Sequence, residues 1–260
     1  MAIPYTQAEA DELGVHTSKK DGGSWRYVED IYKKDGGTWR DIKEVWYKSG
    51  GTWRLVHEGE HFLFKTTLST NSESQWSLST YITGQGYSGN KIKGVVVINN
   101  KQQRVNLNNY QNGSRILLVV NNGKKISGRG GNGGNASGGN GQAGQRALYS
   151  GGTPFKLNNA GVIAGGGGAG YPGGSGGTCP NTNPQGGNGS GGSETSGGGP
   201  GSAGGCGGAT GGGKGGNLGQ DGQNSGGNGG GKGWGIQGVN HKYGTYGSGN
   251  GDIRGGTTNT

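Results

Sequence analysis

Asn121-Asn-Gly-Lys-Lys-Ile-Ser-Gly-Arg-Gly-Gly-Asn-Gly-Gly134 is the stretch at which an ordinary β sequence turns into a glycine tract. Most of the chain's 69 glycines lie from Gly128 onward. Such a tract has few side chains to bury, and each glycine loses more backbone entropy on ordering than any other residue. It is therefore either disordered or packed backbone against backbone. The pattern returns in Leu157-Asn-Asn-Ala-Gly-Val-Ile-Ala-Gly-Gly-Gly-Gly168, again as strand, Asn-Asn turn, strand and glycines. A looser echo closes the chain in Gly251-Asp-Ile-Arg254-Gly-Gly. Flexible linkers are monotonous in Gly and Ser. This tract is punctuated by Tyr149, Phe155, Tyr171, Trp234, Tyr243 and Tyr246, and by Pro154, Pro172, Pro180, Pro184 and Pro200. Collagen is excluded, because glycine does not fall at every third residue. The expectation is a sheaf of extended, polyproline-II-like strands. Glycines face inward, backbones bond to one another, and the reversals between strands stand out as loops. A rigid frame with loops free to vary suits recognition.

Upstream, residues 61–127 read as a compact β domain. Phe62-Leu-Phe64, Val95–Ile98, Val105-Asn-Leu107 and Ile116–Val120 are short apolar strands. Gly84-Gln-Gly-Tyr-Ser-Gly89 and Asn112-Gly113 supply turns. Further upstream lies a 14-residue repeat. Lys20-Asp-Gly-Gly-Ser-Trp25-Arg26 returns as Lys34-Asp-Gly-Gly-Thr-Trp39-Arg40 and as Lys48-Ser-Gly-Gly-Thr-Trp53-Arg54. Asp-Gly-Gly between β-forming segments predicts hairpins. Trp25, Trp39 and Trp53 are expected to stack on neighbouring turns as a small module, each packed in a cation–π contact with the arginine that follows it. Thr6 to Gly14 predicts one short helix, with a Thr6/Glu9 capping box and Gly14 as its stop.

The net charge of +9 is spread over both halves with no basic block; it would suit nucleic acid, but it would also suit an anionic bacterial surface. No apolar run is long enough to cross a membrane, and no secretory signal is expected from the first residues. Catalysis finds little support. His16, His57, His61 and His241 make no metal motif, although His57 and His61 interleave with Glu58 and Glu60, so no metal or cofactor is expected. Glu194, Asp221 and Asp252 are the tract's only acids, too thin a set for a glycosidase pair. Cys179 and Cys206 leave their pairing open.

Residues Asn121–Gly134, the Arg146-Ala-Leu148 step, Leu157–Gly168 and Gly251–Gly255 together resemble the glycine-rich adhesins at the distal end of bacteriophage tail fibres, of the T-even-like type. The likeness covers roughly residues 61 to 260. The Trp repeats are similar to short modules of phage tail proteins, whereas the T-even adhesins attach through a different N-terminal segment. The resemblance implies a non-enzymatic virion protein of the phage tail, made in the host cytoplasm. The fold class expected is mainly β plus non-regular structure. It comprises N-terminal β-hairpin repeats for attachment (residues 1–60), a small β domain (61–127) and a C-terminal polyglycine-II helix bundle that binds the receptor (128–260). Expected partners are other tail-fibre or baseplate proteins, a host outer-membrane protein or glycan, and further copies of the chain. No nucleic acid or membrane insertion is expected. Tyr171, Trp234, Tyr243 and Tyr246 are the candidate receptor contacts, with Lys232, Lys242 and Arg254 for anionic groups. Competing readings are a structural tail component, an ice-binding protein and, last, a glycine-rich RNA-binding protein.

Overall fold

The computed structural model describes residues 5–14, 18–21, 24–27, 32–42, 44–49, 52–58, 61–110, 113–133, 141–170, 215–222, 231–238, 242–245 and 251–258. The chain is mostly β, with few helices. Helix α1 (Gln7–Leu13) starts on the predicted capping box: Glu9 N donates to Thr6 Oγ1, and Thr6 N to the Glu9 carboxylate. It stops at Gly14, whose φ of 66° lies in the left-handed region. Three antiparallel hairpins follow, β1 (Ser18–Asp21) with β2 (Ser24–Tyr27), β3 (Tyr32–Asp35) with β4 (Thr38–Asp41), and β5 (Glu44–Ser49) with β6 (Thr52–Glu58). In the second, Gly36 and Gly37 both have positive φ, as a two-residue turn matched to strand twist requires.

At Trp39 the contact differs from the one expected, whereas the side chains of Trp25 and Trp53 lie outside the described residues. Each described hairpin is its own two-stranded sheet, and Trp39 is 65% exposed. The cation over its ring is the cross-strand Lys34, 5.8 Å from the centroid, and not Arg40. Successive side chains of a strand point to opposite faces, so Trp39 and Arg40 cannot stack. The same register sets Lys20 opposite Trp25 and Lys48 opposite Trp53.

From residue 62 the chain winds into a parallel coil with three faces. The long face holds β7 (Phe62–Leu68), β9 (Ile92–Ile98), β12 (Arg115–Val120), β15 (Phe155–Asn159) and β18 (Lys242–Thr245). The middle face holds β10 (Gln102–Gln103), β13 (Lys125–Ser127), β16 (Val162–Ala164) and β19 (Asp252–Arg254). The short face holds β8 (Trp76–Ser77), β11 (Val105–Asn106), β14 (Leu148–Tyr149), β17 (Ile236–Gln237) and β20 (Thr257–Thr258). All pairings among these strands are parallel, and consecutive strands visit the faces in turn. The two Asn-Asn repeats and the terminal echo coincide in space, because Ile126, Ile163 and Ile253 share one register row. One short helix, α2 (Leu78–Gly84), follows β8 and was not expected from its β-branched sequence. It is held by burial of Leu78 and Ile82 in the core.

Alternation along the long face makes two cores. Ile116, Leu118 and Val120 point into the coil with Phe64, Val96, Ile98, Phe155 and Leu157. Leu117 and Val95 point outward beneath α1, where they meet Leu13. Each such side chain, fully buried, stabilises by about 1.5–3 kcal/mol. Helix α1 is fixed further by Lys65 on Glu9 (2.9 Å), by Lys156 on Glu12, and by Lys93 Nζ donating to Gly14 O (3.2 Å).

The sheets draw strands from both sides of residue 127. The glycine segments are insertions in the coil, residues 128–147 between β13 and β14 and residues 165–235 between β16 and β17. Their described parts are tied to one another mainly through backbone bonds. Ala164 O and Gly167 O accept from Gly128 N and Gly131 N. Gly166 N and Ala169 N donate to Gln145 O and Gln142 O. Gly165 O and Gly168 O accept from Gly219 N and Gly216 N. Each neighbour is therefore met at every third residue. A Cβ on Gly166 would lie 1.9 Å from Arg129 O, and one on Gly144 would lie 1.9 Å from Gly166 O. Any side chain there would push the segments apart.

Candidate functional site

The short face carries an outward row set by register. Val105, Leu148 and Ile236 point into the core, so their successors Asn106, Tyr149 and Gln237 face out in line. Glycine segments border the row. Gly144 N donates to Gly231 O, Gln145 N to Arg129 O, and Ala147 N to Trp234 O. These bonds fix the backbones from which Gln145, Arg146 and Trp234 project. An open groove of about 470 Å³ results, lined by Arg104, Asn106, Gln145, Arg146, Tyr149, Trp234 and Gln237 among others.

The groove is cationic and aromatic, and among the described residues no acidic side chain lines it. The Arg146 guanidinium stacks on Tyr149 at 3.9 Å from the ring centroid, and its Nη1 donates to Gln237 Oε1. Arg104 Nη1 donates to Gln145 Oε1 (2.8 Å), while its Nε is buried with no hydrogen-bond partner. Arg104 also holds a left-handed backbone, φ 57°, at the corner between β10 and β11. Its N donates to Ser127 O, and its O accepts from Trp76 N. For a residue with a Cβ that conformation costs about 1–3 kcal/mol. Trp234 is 44% exposed, with its ring edge against Gly256.

The sequence-derived candidates do not gather at one place. Trp234 lines the groove. Lys232 is exposed and lies 3.7 Å from Asp221 through its Nζ, and its backbone N also donates to Asp221. Arg254 is exposed and pairs with Asp252 at 2.5 Å. Lys242 and Tyr243 stand on β18, on the long face. Tyr171, Tyr246, Cys179 and Cys206 lie outside the described residues. Arg104, Arg146, Tyr149 and Gln237 are groove residues that sequence reasoning missed. Each local signal was present, as an apolar residue in the core beside a polar or aromatic one facing out. Their convergence depends on register between strands separated by unequal insertions. Among the described residues no group of His, Cys, Asp and Glu could hold a metal ion.

A parallel coil, glycine insertions tied to it by backbone bonds and an open groove lined by arginines, amides and aromatic rings make a scaffold suited to binding. The model of the phage tail fibre adhesin Gp38 family matches residues 64–258, and the chain belongs to that family. It is a tail-fibre adhesin with a receptor-binding role, carried on the virion's tail. The solved gp37–gp38 adhesin tip complex of the bacteriophage S16 long tail fiber is similar at 21% identity, with a TM-score of 0.39, over 70% of this chain and 77% of that one. No curated protein matches.

Proposed function

We propose that this adhesin binds an outer-membrane protein or a surface glycan of its host through loops at the ends of the glycine segments. The observation that carries this reading is the period-three backbone bonding around residues 164–169, which supports a polyglycine-II bundle. Such a bundle leaves its interior no room for side chains, so sequence variation is confined to the reversals. Tyr171, Trp234, Tyr243 and Tyr246, with Lys232, Lys242 and Arg254, are the proposed receptor contacts. Residues 1–60 are the proposed attachment module and 128–260 the proposed recognition region. The hairpins, with Trp25, Trp39 and Trp53, are proposed to dock on another tail-fibre or baseplate protein. The S16 relative, which sits in a complex with gp37, is in keeping with this.

The test must keep the coil intact, because β14 to β20 lie beyond residue 127. Residues 171–214 are replaced by a short Gly-Ser link, and binding of fluorescent protein to host cells is compared with that of the parent. Loss of binding with an unchanged melting temperature is the expected result. Undiminished binding would sink the loop reading and leave recognition to the coil or the hairpins.

A further inference from the structure

We infer that the groove on the short face is a second binding site, and that its ligand is an acidic saccharide. This goes beyond the loop reading, since Arg104 and Tyr149 belong to the coil and its ladder of strands. Three features define the ligand. Two guanidinium groups, those of Arg104 and Arg146, border the groove, and no carboxylate lines it among the described residues. A guanidinium matches the two oxygens of a carboxylate or phosphate. The exposed indole of Trp234 and the ring of Tyr149 supply flat apolar surfaces, which fit the C–H faces of a sugar. Asn106, Gln145 and Gln237 bring amides within the same groove, suited to the hydroxyl edges of that sugar. The volume of about 470 Å³ lies within the range of roughly 300–1,000 Å³ for small-ligand sites.

A peptide is disfavoured by the backbone. The floor strand β14 is bonded to β11 on one side and β17 on the other, so no free strand edge is offered for an extended chain to join. Among the described residues, Val105 turns its side chain into the core and Ala147 is nearly fully buried, so besides the two rings the groove offers no deep apolar socket.

Full-length protein is titrated with digalacturonate, the neutral digalactose of the same linkage, glucose 6-phosphate and pentaglutamate, followed by calorimetry and saturation-transfer NMR. The variants are Arg104→Gly, Arg146→Gln and Trp234→Ala, with Lys124→Ala, in the turn between β12 and β13, as a control away from the groove. Arg104→Gly keeps the left-handed corner, so its fold survives the loss of the guanidinium. At least one acidic sugar binds, the neutral disaccharide at least tenfold more weakly, and each groove variant loses tenfold or more while Lys124→Ala does not. Preference between digalacturonate and glucose 6-phosphate identifies the acid as carboxylate or phosphate. Equal binding of the neutral disaccharide, binding unchanged in Arg104→Gly, pentaglutamate as the tightest ligand, or no binding of either acidic sugar at millimolar concentration would each overturn the inference. A loop replacement that abolishes cell binding but keeps sugar binding separates this site from the loop site.

Discussion

Arg104 combines backbone strain with a half-buried guanidinium that bonds to Gln145 of the first glycine insertion. Replacing it by glycine relieves the left-handed conformation, so the melting temperature is expected to hold or rise, with a gain of up to about 1 kcal/mol. Arg104→Ala keeps the strain and brings no such gain, and the pair compared by thermal unfolding isolates the backbone effect. Tyr5 is the opposite case, a polar group the fold depends on. Its hydroxyl is shared between Phe64 O (2.7 Å) and Lys93 O (2.9 Å), and burial pushes its pKa well above the ordinary 10.0. The unfolded chain ionises Tyr5 near pH 10, while the folded chain keeps the proton. Stability from this group is therefore complete below about pH 10 and is lost as pH rises above it. Tyr5→Phe should cost about 0.5–1.5 kcal/mol at neutral pH and flatten that alkaline slope, as read from denaturant midpoints across pH.

At the scale of elements, the glycine segments invert the usual logic of packing. A methyl group normally adds contact, but at Gly166 or Gly144 it would enter a neighbouring carbonyl. Gly166→Ala is expected to destabilise by about 1–3 kcal/mol. Gly84→Ala at the end of α2 meets nothing within 4 Å and should be near neutral, a contrast that chemical denaturation would resolve. The elements were legible in the sequence wherever local rules decide them. The Thr6 capping box, the Gly36-Gly37 hairpin turn and the apolar runs of β7, β9 and β12 are such cases. Helix α2 was not, because its helical state comes from burial of Leu78 and Ile82 and not from propensity. The groove was hidden for a different reason. Asn106, Tyr149 and Gln237 are far apart in sequence and become a row only when the coil closes.

At the scale of the whole molecule, the coil and the described parts of the glycine segments form one bonded network. Gly165 N donates to Arg254 O of β19, and Gly233 N to Gly166 O. Amides of Gly131, Gly144, Gly166 and Gly233 are therefore expected to exchange hydrogen as slowly as those of Leu118 and Leu157 in the strands. Exchange of these glycines on the timescale of unbonded amides would show that the insertions open independently of the coil.

The two insertions leave and re-enter the coil at equivalent corners, Ser127 to Leu148 and Ala164 to Ile236, on adjacent turns. They differ greatly in length, yet β14 and β17 stay one ladder step apart. Length is thus uncoupled from register. Each insertion is in effect a cassette with fixed splice points, and exchanging one leaves the pairing of the frame that carries it unchanged. On the loop reading proposed above, such an exchange would alter the receptor in one event without re-solving how the frame folds.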